Sequence, residues 1–236
     1  MLELNNVTAG YKKMTIIENI SLHCKDSEII LIFGPNGAGK TTLMQTIYGF
    51  ADIHQGDIGY NGVDLTKRTP HDMLSLGIGY IWQRNGLFPP MTVKDNLSMA
   101  LYARKGYNAS EQIDKILDFF PRLKQKLGQI AMTLSGGEKK MLTVACVLAQ
   151  DPNLLLVDEV SEGLQPMLRD EVMDIIAKLA RDGNKSVVIV EEPTEKVLQM
   201  ADRAYCLRDG SIIAEGPAKN FQNKAALEKL YFGETS

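Results

Sequence analysis

Ile29-Ile30-Leu31-Ile32-Phe33-Gly34-Pro35-Asn36-Gly37-Ala38-Gly39-Lys40-Thr41 is the stretch on which the reading of this chain turns. It opens as a continuous apolar run, the pattern of a short strand covered on both faces. From Gly34 to Thr41 it fits G-x-x-x-x-G-K-[ST], and a helical pattern then runs from Thr41 to a stop at Gly49. Glycines let the backbone curl so that several N–H groups point at one phosphate, and the helix adds the positive end of its dipole. Lys40 is expected to reach the β- and γ-phosphates, and the Thr41 hydroxyl to ligate Mg²⁺. With glycine near 7% of residues in ordinary proteins, a chain of this length meets the pattern by accident roughly once in a hundred, and the strand-to-helix setting lowers that further. With Thr42, residues Gly34, Pro35, Asn36, Gly37, Ala38, Gly39, Lys40 and Thr41 make up the expected binding cradle for ATP.

The rest of the composition is that of an ordinary globular protein. The 236 residues are 44% hydrophobic and 23% charged, with a formal net charge of −3. Disorder is not expected, and no basic excess argues for a nucleic-acid partner. The start, Met1-Leu2-Glu3-Leu4, lacks the features of a secretion signal. No apolar run approaches the roughly 20 residues of a membrane-spanning helix, so a membrane role is expected to come through partners. Cys24, Cys146 and Cys206 are scattered, which suits free thiols in a reducing compartment. His23, His54 and His71 lack metal-ligand spacing.

Working outward, Leu2 to Val7 and Ile20 to Cys24 alternate as half-buried strands. Apolar runs recur at Ile78–Trp82, Leu154–Val157 and Val187–Val190, with helical stretches such as Met167 to Arg181 between the later ones. Strands alternating with helices imply an α/β fold with a mostly parallel sheet, preceded here by an antiparallel β part. Residues 84–133 read differently. Leu97–Leu101 and Ile113–Phe120 are amphipathic helical segments, the second limited by Pro121. The expectation is one domain, with a core of residues 1–83 and 134–236 and a helical lobe of about 84–133.

Leu154-Leu155-Leu156-Val157-Asp158-Glu159 is a buried-strand pattern ending in two carboxylates. Asp158 is assigned to Mg²⁺ and Glu159 to the attacking water as general base. Leu134-Ser135-Gly136-Gly137-Glu138 stands before a helical stretch from Lys139 to Ala149, a second place where a serine and glycines meet a helix N-terminus. Two phosphate-binding elements about a hundred residues apart are most simply used by a head-to-tail dimer. Each triphosphate would lie between the cradle of one subunit and the Ser135-Gly136-Gly137 turn of the other.

With these motifs in hand, nearly the whole chain resembles the ABC ATPases, whose signature is Leu-Ser-Gly-Gly-Glu placed upstream of the acidic pair. The resemblance implies a P-loop NTPase core, a helical lobe that contacts membrane permease subunits, and two cassettes closing on two ATPs. It gives Tyr11 an adenine-stacking role and makes Gln83 the sensor of Mg²⁺ and the attacking water. Phe120-Pro121-Arg122-Leu123-Lys124, Gly163-Leu164-Gln165-Pro166 and the ending Leu230-Tyr231-Phe232-Gly233-Glu234 are similar to the branched-chain amino acid uptake ATPases. That subgroup, which extends to carriers of urea and short amides, implies import of a small nutrient. It also implies a second related ATPase, a solute-binding protein and a place on the cytoplasmic face of the membrane.

The chain departs from the family pattern at several positions. Glu192 stands where most members carry a histidine that donates to the γ-phosphate, which an ionised carboxylate cannot do. Gln165 replaces a frequent aspartate, and Val160 and Glu162 replace a proline and a small residue. Lys139 and Lys140 follow the signature and are expected to face solvent. These changes favour a heterodimer with unequal sites over a homodimer. Two alternatives stay open, a single-cassette ATPase of the assembly-scaffold type and a partner cassette impaired in hydrolysis.

Overall fold

The apolar runs and helical periods resolve into two sheets and eight α-helices in the computed structural model, among the described residues 1–82, 86–102, 108–223, 227, 230 and 231. In chain order the elements are β1 (Leu2–Tyr11), β2 (Met14–Cys24), β3 (Ile29–Phe33), α1 (Lys40–Ile47), β4 (Asp52–Tyr60), β5 (Val63–Asp64), α2 (Pro70–Ser75) and β6 (Ile78–Ile81). Next come α3 (Val93–Tyr102), α4 (Ala109–Phe119), α5 (Pro121–Lys124), α6 (Gly136–Ala149), β7 (Leu154–Asp158), α7 (Pro166–Asp182), β8 (Ser186–Val190), α8 (Glu195–Met200), β9 (Arg203–Arg208) and β10 (Ser211–Pro217). An antiparallel sheet has the order β2-β1-β4-β5, and a larger one the order β10-β9-β3-β8-β7-β6. In the larger sheet every neighbouring pair is parallel except β9 with β10.

The continuous apolar strands are explained by cover on both faces. Ile29, Leu31 and Phe33 of β3 join a core with the helices α3 to α8, while Ile30 and Ile32 join a second core with α1 and the antiparallel sheet. β7 divides in the same way, with Leu155 and Val157 on the first side and Leu154 and Leu156 on the second. Helix α1 lies in the second core through Leu43, Met44 and Ile47. The cradle that precedes it is therefore held between the two sheets.

Two hairpins are not legible from hydrophobic alternation. β4 carries Asp52, His54, Gln55 and Asp57, most of them exposed, so it lacks a clean apolar face. The signal is in the turns. Asn61-Gly62 joins β4 to β5 with φ of 48° and 79°, and Asp209-Gly210 joins β9 to β10 with 47° and 78°. Positive φ at both central residues is the geometry that Asn-Gly and Asp-Gly favour.

Helix α6 starts three residues earlier than the Lys139 expected from its apolar period. Ser135 Oγ accepts from Glu138 N at 3.3 Å and Glu138 Oε2 accepts from Ser135 N at 3.0 Å. This capping box satisfies free N–H groups of the first turn and admits the two glycines into the helix. Helices α3, α4 and α5 follow β6 in the chain, and α3 is pinned through Asn96. Asn96 is buried; its Oδ1 accepts from Phe88 N at 2.7 Å and its Nδ2 donates to Phe88 O at 3.1 Å and Thr92 O at 2.9 Å. One side chain thus holds the segment that leads from residue 86 into the helix.

Asn96→Leu keeps the branching of the side chain but strands those backbone groups. It is expected to cost about 2–3 kcal/mol, read as a melting temperature lower by roughly 5–10 °C in a chain of this size.

Candidate active site

Three parallel strands end side by side, and their last residues build the site. Asp158 pairs with Val190 at the ends of β7 and β8, and β3 runs beside β8 into the cradle. Gly34 has φ 151°, and a Cβ there would stand 1.8 Å from Leu207 O. Gly39, with φ 100°, would press a Cβ to 2.7 Å from Ile17. Only glycine permits both the curl and the close approach to neighbouring strands.

The Lys40 ammonium lies across the cradle, donating to Gly34 O at 3.0 Å and Pro35 O at 3.1 Å, and is 3.5 Å from Glu159 Oε1. Thr41 Oγ1 donates to Asp158 Oδ1 at 3.3 Å. A cleft of about 450 Å³ opens here, lined by Ile16, Asn36, Gly37, Gly39, Lys40, Thr41, Thr42, Glu159 and Glu162. A larger groove of about 620 Å³ lies between α7 and α8 and contains none of these residues.

Glu159 is held with φ 45°, its N–H donating to Val190 O at 2.9 Å. A non-glycine residue in this region carries strain of order 1–3 kcal/mol, which proteins keep mainly at functional positions. The turn aims Glu159 at Lys40 while Asp158, one residue earlier, points into the protein. Burial pushes the Asp158 carboxyl above the usual range, with the Glu159 charge adding to it, while hydrogen bonds from Tyr80 and Thr41 oppose it. Glu191 is likewise raised by burial, against hydrogen bonds from Ser161 N at 2.9 Å and Ser161 Oγ. Glu192 is exposed, so the buried acid at the end of β8 is Glu191.

Lys140 corrects an expectation. It is 6% exposed and donates to Trp82 O at 3.5 Å, instead of facing solvent. Its place on α6 explains this, since the neighbours on its face, Thr143 and Val144, are buried as well. Burial pulls its ammonium below the usual lysine range, and the charges of Glu191, Glu162, Asp158 and Glu159 hold it up. The repetition of Lys139-Lys140 concealed that the two point differently, Lys139 being only half-buried.

The remaining expected site residues divide by place. Tyr11 is outside the cleft lining, its hydroxyl hydrogen-bonded to Gln45 of α1, while Ile16 of β2 does line the cleft. Ser135 and Gly136 are exposed at the start of α6 and also lie outside the lining. Gln83 falls outside the described residues. Among the described residues no group of three or more His, Cys, Asp or Glu side chains could cage a metal. Thr41 and Asp158 supply one hydroxyl and one carboxylate, which fits Mg²⁺ held mainly by phosphate oxygens and water. Among the described residues no helix is long and apolar enough to cross a membrane.

Comparison with known proteins agrees with this geometry. The family described as ABC transporter matches residues 17–162. The chain is 35% identical to the probable branched-chain amino acid transport ATP-binding protein LivF of Archaeoglobus fulgidus, over 99% of each protein. It is 34% identical to the high-affinity branched-chain amino acid transport ATP-binding protein BraG of Pseudomonas aeruginosa, over 99% of this chain and all of that one. The ADP conformation of MJ1267, an ATP-binding cassette of an ABC transporter, superposes with a TM-score of 0.84 at 26% identity, covering 99% of both chains.

The raised Asp158 predicts a stabilising substitution. A carboxyl raised on folding contributes its full stability below its unfolded value, near 3.8, and loses it as pH rises through the folded value. Asp158→Asn removes that loss. The nucleotide-free variant is expected to melt with the natural chain at pH 4 and above it at pH 7, a gap that widens with pH in thermal scans.

Proposed function

The chain belongs to the ABC transporter family, and within it we propose that it is the ATP-hydrolysing subunit of an importer for branched-chain amino acids or a related amino acid or amide. The family's ATP-binding cassettes couple ATP hydrolysis to transport and act with membrane permease subunits. The observation that carries the reading is the pairing of two unlike phosphate sites. The cradle of Gly34–Thr42 opens into a cleft, and the capped start of α6, with Ser135 and Gly136 exposed and Gly137 half-buried, lies outside its lining. Similarity to LivF and BraG over essentially full length supports the substrate class.

The chemistry follows from the side chains. An incoming triphosphate competes with the Gly34 and Pro35 carbonyls for the Lys40 ammonium and gains the backbone N–H groups of the cradle. Thr41 and Asp158 would hold Mg²⁺, which would supply positive charge to offset that of the phosphates. Glu159 accepts a proton from the attacking water, and drawing Lys40 toward phosphate releases Glu159 from its ion pair for that role. Gln83 senses metal and water. Ser135, Gly136 and Gly137 reach the γ-phosphate of a second cassette, and Tyr11 stacks on adenine. Residues 1–83 and 134–236 act as the nucleotide-binding core, and about 84–133 as the lobe that meets the permease on the cytoplasmic face of the membrane. A solute-binding protein completes the system.

A heterodimer with a related cassette accounts for the departures at the end of β8. Glu192 is an acid where a γ-phosphate donor is usual, and it is exposed, so this chain's cleft relies on Lys40 and the partner's signature turn.

In the assembled complex, Lys40→Ala and Ser135→Ala are each expected to cut ATP turnover by at least about a hundredfold. Glu159→Gln should do the same while trapping MgATP in a closed dimer, detected by size-exclusion chromatography. Turnover unchanged in Lys40→Ala or Ser135→Ala would overturn the shared-site reading.

A further inference from the structure

Asp158 has two carboxylate oxygens with different surroundings. Oδ1 accepts from Thr41, which lines the cleft. Oδ2 accepts from the Tyr80 hydroxyl at 3.0 Å, and Tyr80 is 4% exposed and takes no part in the cleft. Tyr80 pairs with Leu156 across the parallel β6–β7 register, so its side chain has to run along the sheet toward the strand ends to reach Asp158.

The tyrosine is itself fixed. Its ring is stacked on Trp82 at 5.0 Å between centroids and 25° between planes, and meets Tyr48, the residue that caps the end of α1, at 5.2 Å. Phe50 closes the cluster, 5.5 Å from Tyr48 and 4.6 Å from Trp82. A ring packed against two others, which Phe50 joins in turn, cannot change rotamer without disturbing the cluster. Its hydroxyl is therefore a donor at a set position. Burial, and with it the Asp158 charge, raises the Tyr80 phenol above its ordinary value.

We propose that Tyr80 is a positioning residue for the metal-assisting carboxylate, occupying Asp158 Oδ2 so that Oδ1 alone faces the cation. The inference rests on the assignment of Asp158 to Mg²⁺ made above. Without the tyrosine hydroxyl the carboxylate is held by Thr41 alone and can turn more readily about its Cβ–Cγ bond. Its charge would then be shared between orientations, only some of which serve a metal beside Thr41. Groups that orient a metal-binding side chain matter about as much as this in general, their loss costing roughly ten- to a hundredfold in metal affinity. The role differs from that of a core tyrosine, which would support the sheet without any bearing on the metal.

The test is the linkage between nucleotide and metal in the full-length chain. ADP affinity is measured by calorimetry with MgCl₂ and again with EDTA, and the ratio of the two affinities is the readout. In Tyr80→Phe, which removes one oxygen and keeps the ring, the ratio is expected to fall by about tenfold with the EDTA affinity unchanged. In Asp158→Asn the ratio should collapse, and adding Tyr80→Phe to Asp158→Asn should change it no further. A ratio in Tyr80→Phe equal to that of the natural chain overturns the inference. So does an equal fall in both affinities, which marks a purely structural role. If Asp158→Asn also keeps the natural ratio, the metal assignment itself fails, so the two failures are distinguishable.

Discussion

Parallel pairing of β3, β8 and β7 is the constraint on which the rest depends. Parallel strands put all their carboxyl ends on one edge, and that edge is where the chain must leave the sheet for its helices. Three exits therefore converge. One is the cradle from Gly34, the second the Asp158-Glu159 turn, and the third Glu191 and Glu192. The strands are buried on both faces, so they cannot slide in register without moving apolar side chains out of two cores at once. The precision of the site is inherited from the packing of Ile29–Phe33, Leu154–Val157 and Val187–Val190.

The convergence carries an electrostatic cost. Asp158 and Glu191 are nearly sealed from solvent, and both carboxyls are raised by burial. Lys40 and Lys140 are the cations set among these acids, one on α1 and the other on α6. Lys40 is tied to backbone carbonyls that phosphate would replace, so its contacts are exchangeable. Lys140 is buried on the helix that begins with the signature turn, so it links the position of that turn to the charge at the strand ends. The acids are a functional compromise between stability and activity, since a neutral side chain would suit the free protein better.

Hydrogen bonding to the acids is correspondingly specific. Asp158 is held between Thr41 and Tyr80, Glu191 by Ser161, and the two residues that flank the turn, Glu159 and Val190, are joined through the backbone. A buried carboxylate with both oxygens engaged has one orientation instead of several. Through Asp158 the aromatic cluster around Tyr80 touches the candidate site although none of its rings lines the cleft.

The sequence by itself determined the class of fold and where along the chain the candidate site residues lie. Periods of two and of 3.6, unbroken apolar runs and motifs of fixed spacing are local quantities, so β3, β7, β8, α7, the cradle and the Asp158-Glu159 pair are all legible along the chain. The Asn61-Gly62 and Asp209-Gly210 turns were equally local and could have revealed the two hairpins whose strands lack a clean apolar face. What only the tertiary structure decided was which polar groups meet. The burial of Lys140, the engagement of Asp158 by Tyr80 from a neighbouring strand, and the seating of Glu191 on Ser161 join residues from 30 to 78 positions apart or bury a charge by helix rotation. Such contacts depend on strand order and on the turn of a helix about its axis. Neither is written in the local pattern of the residues concerned.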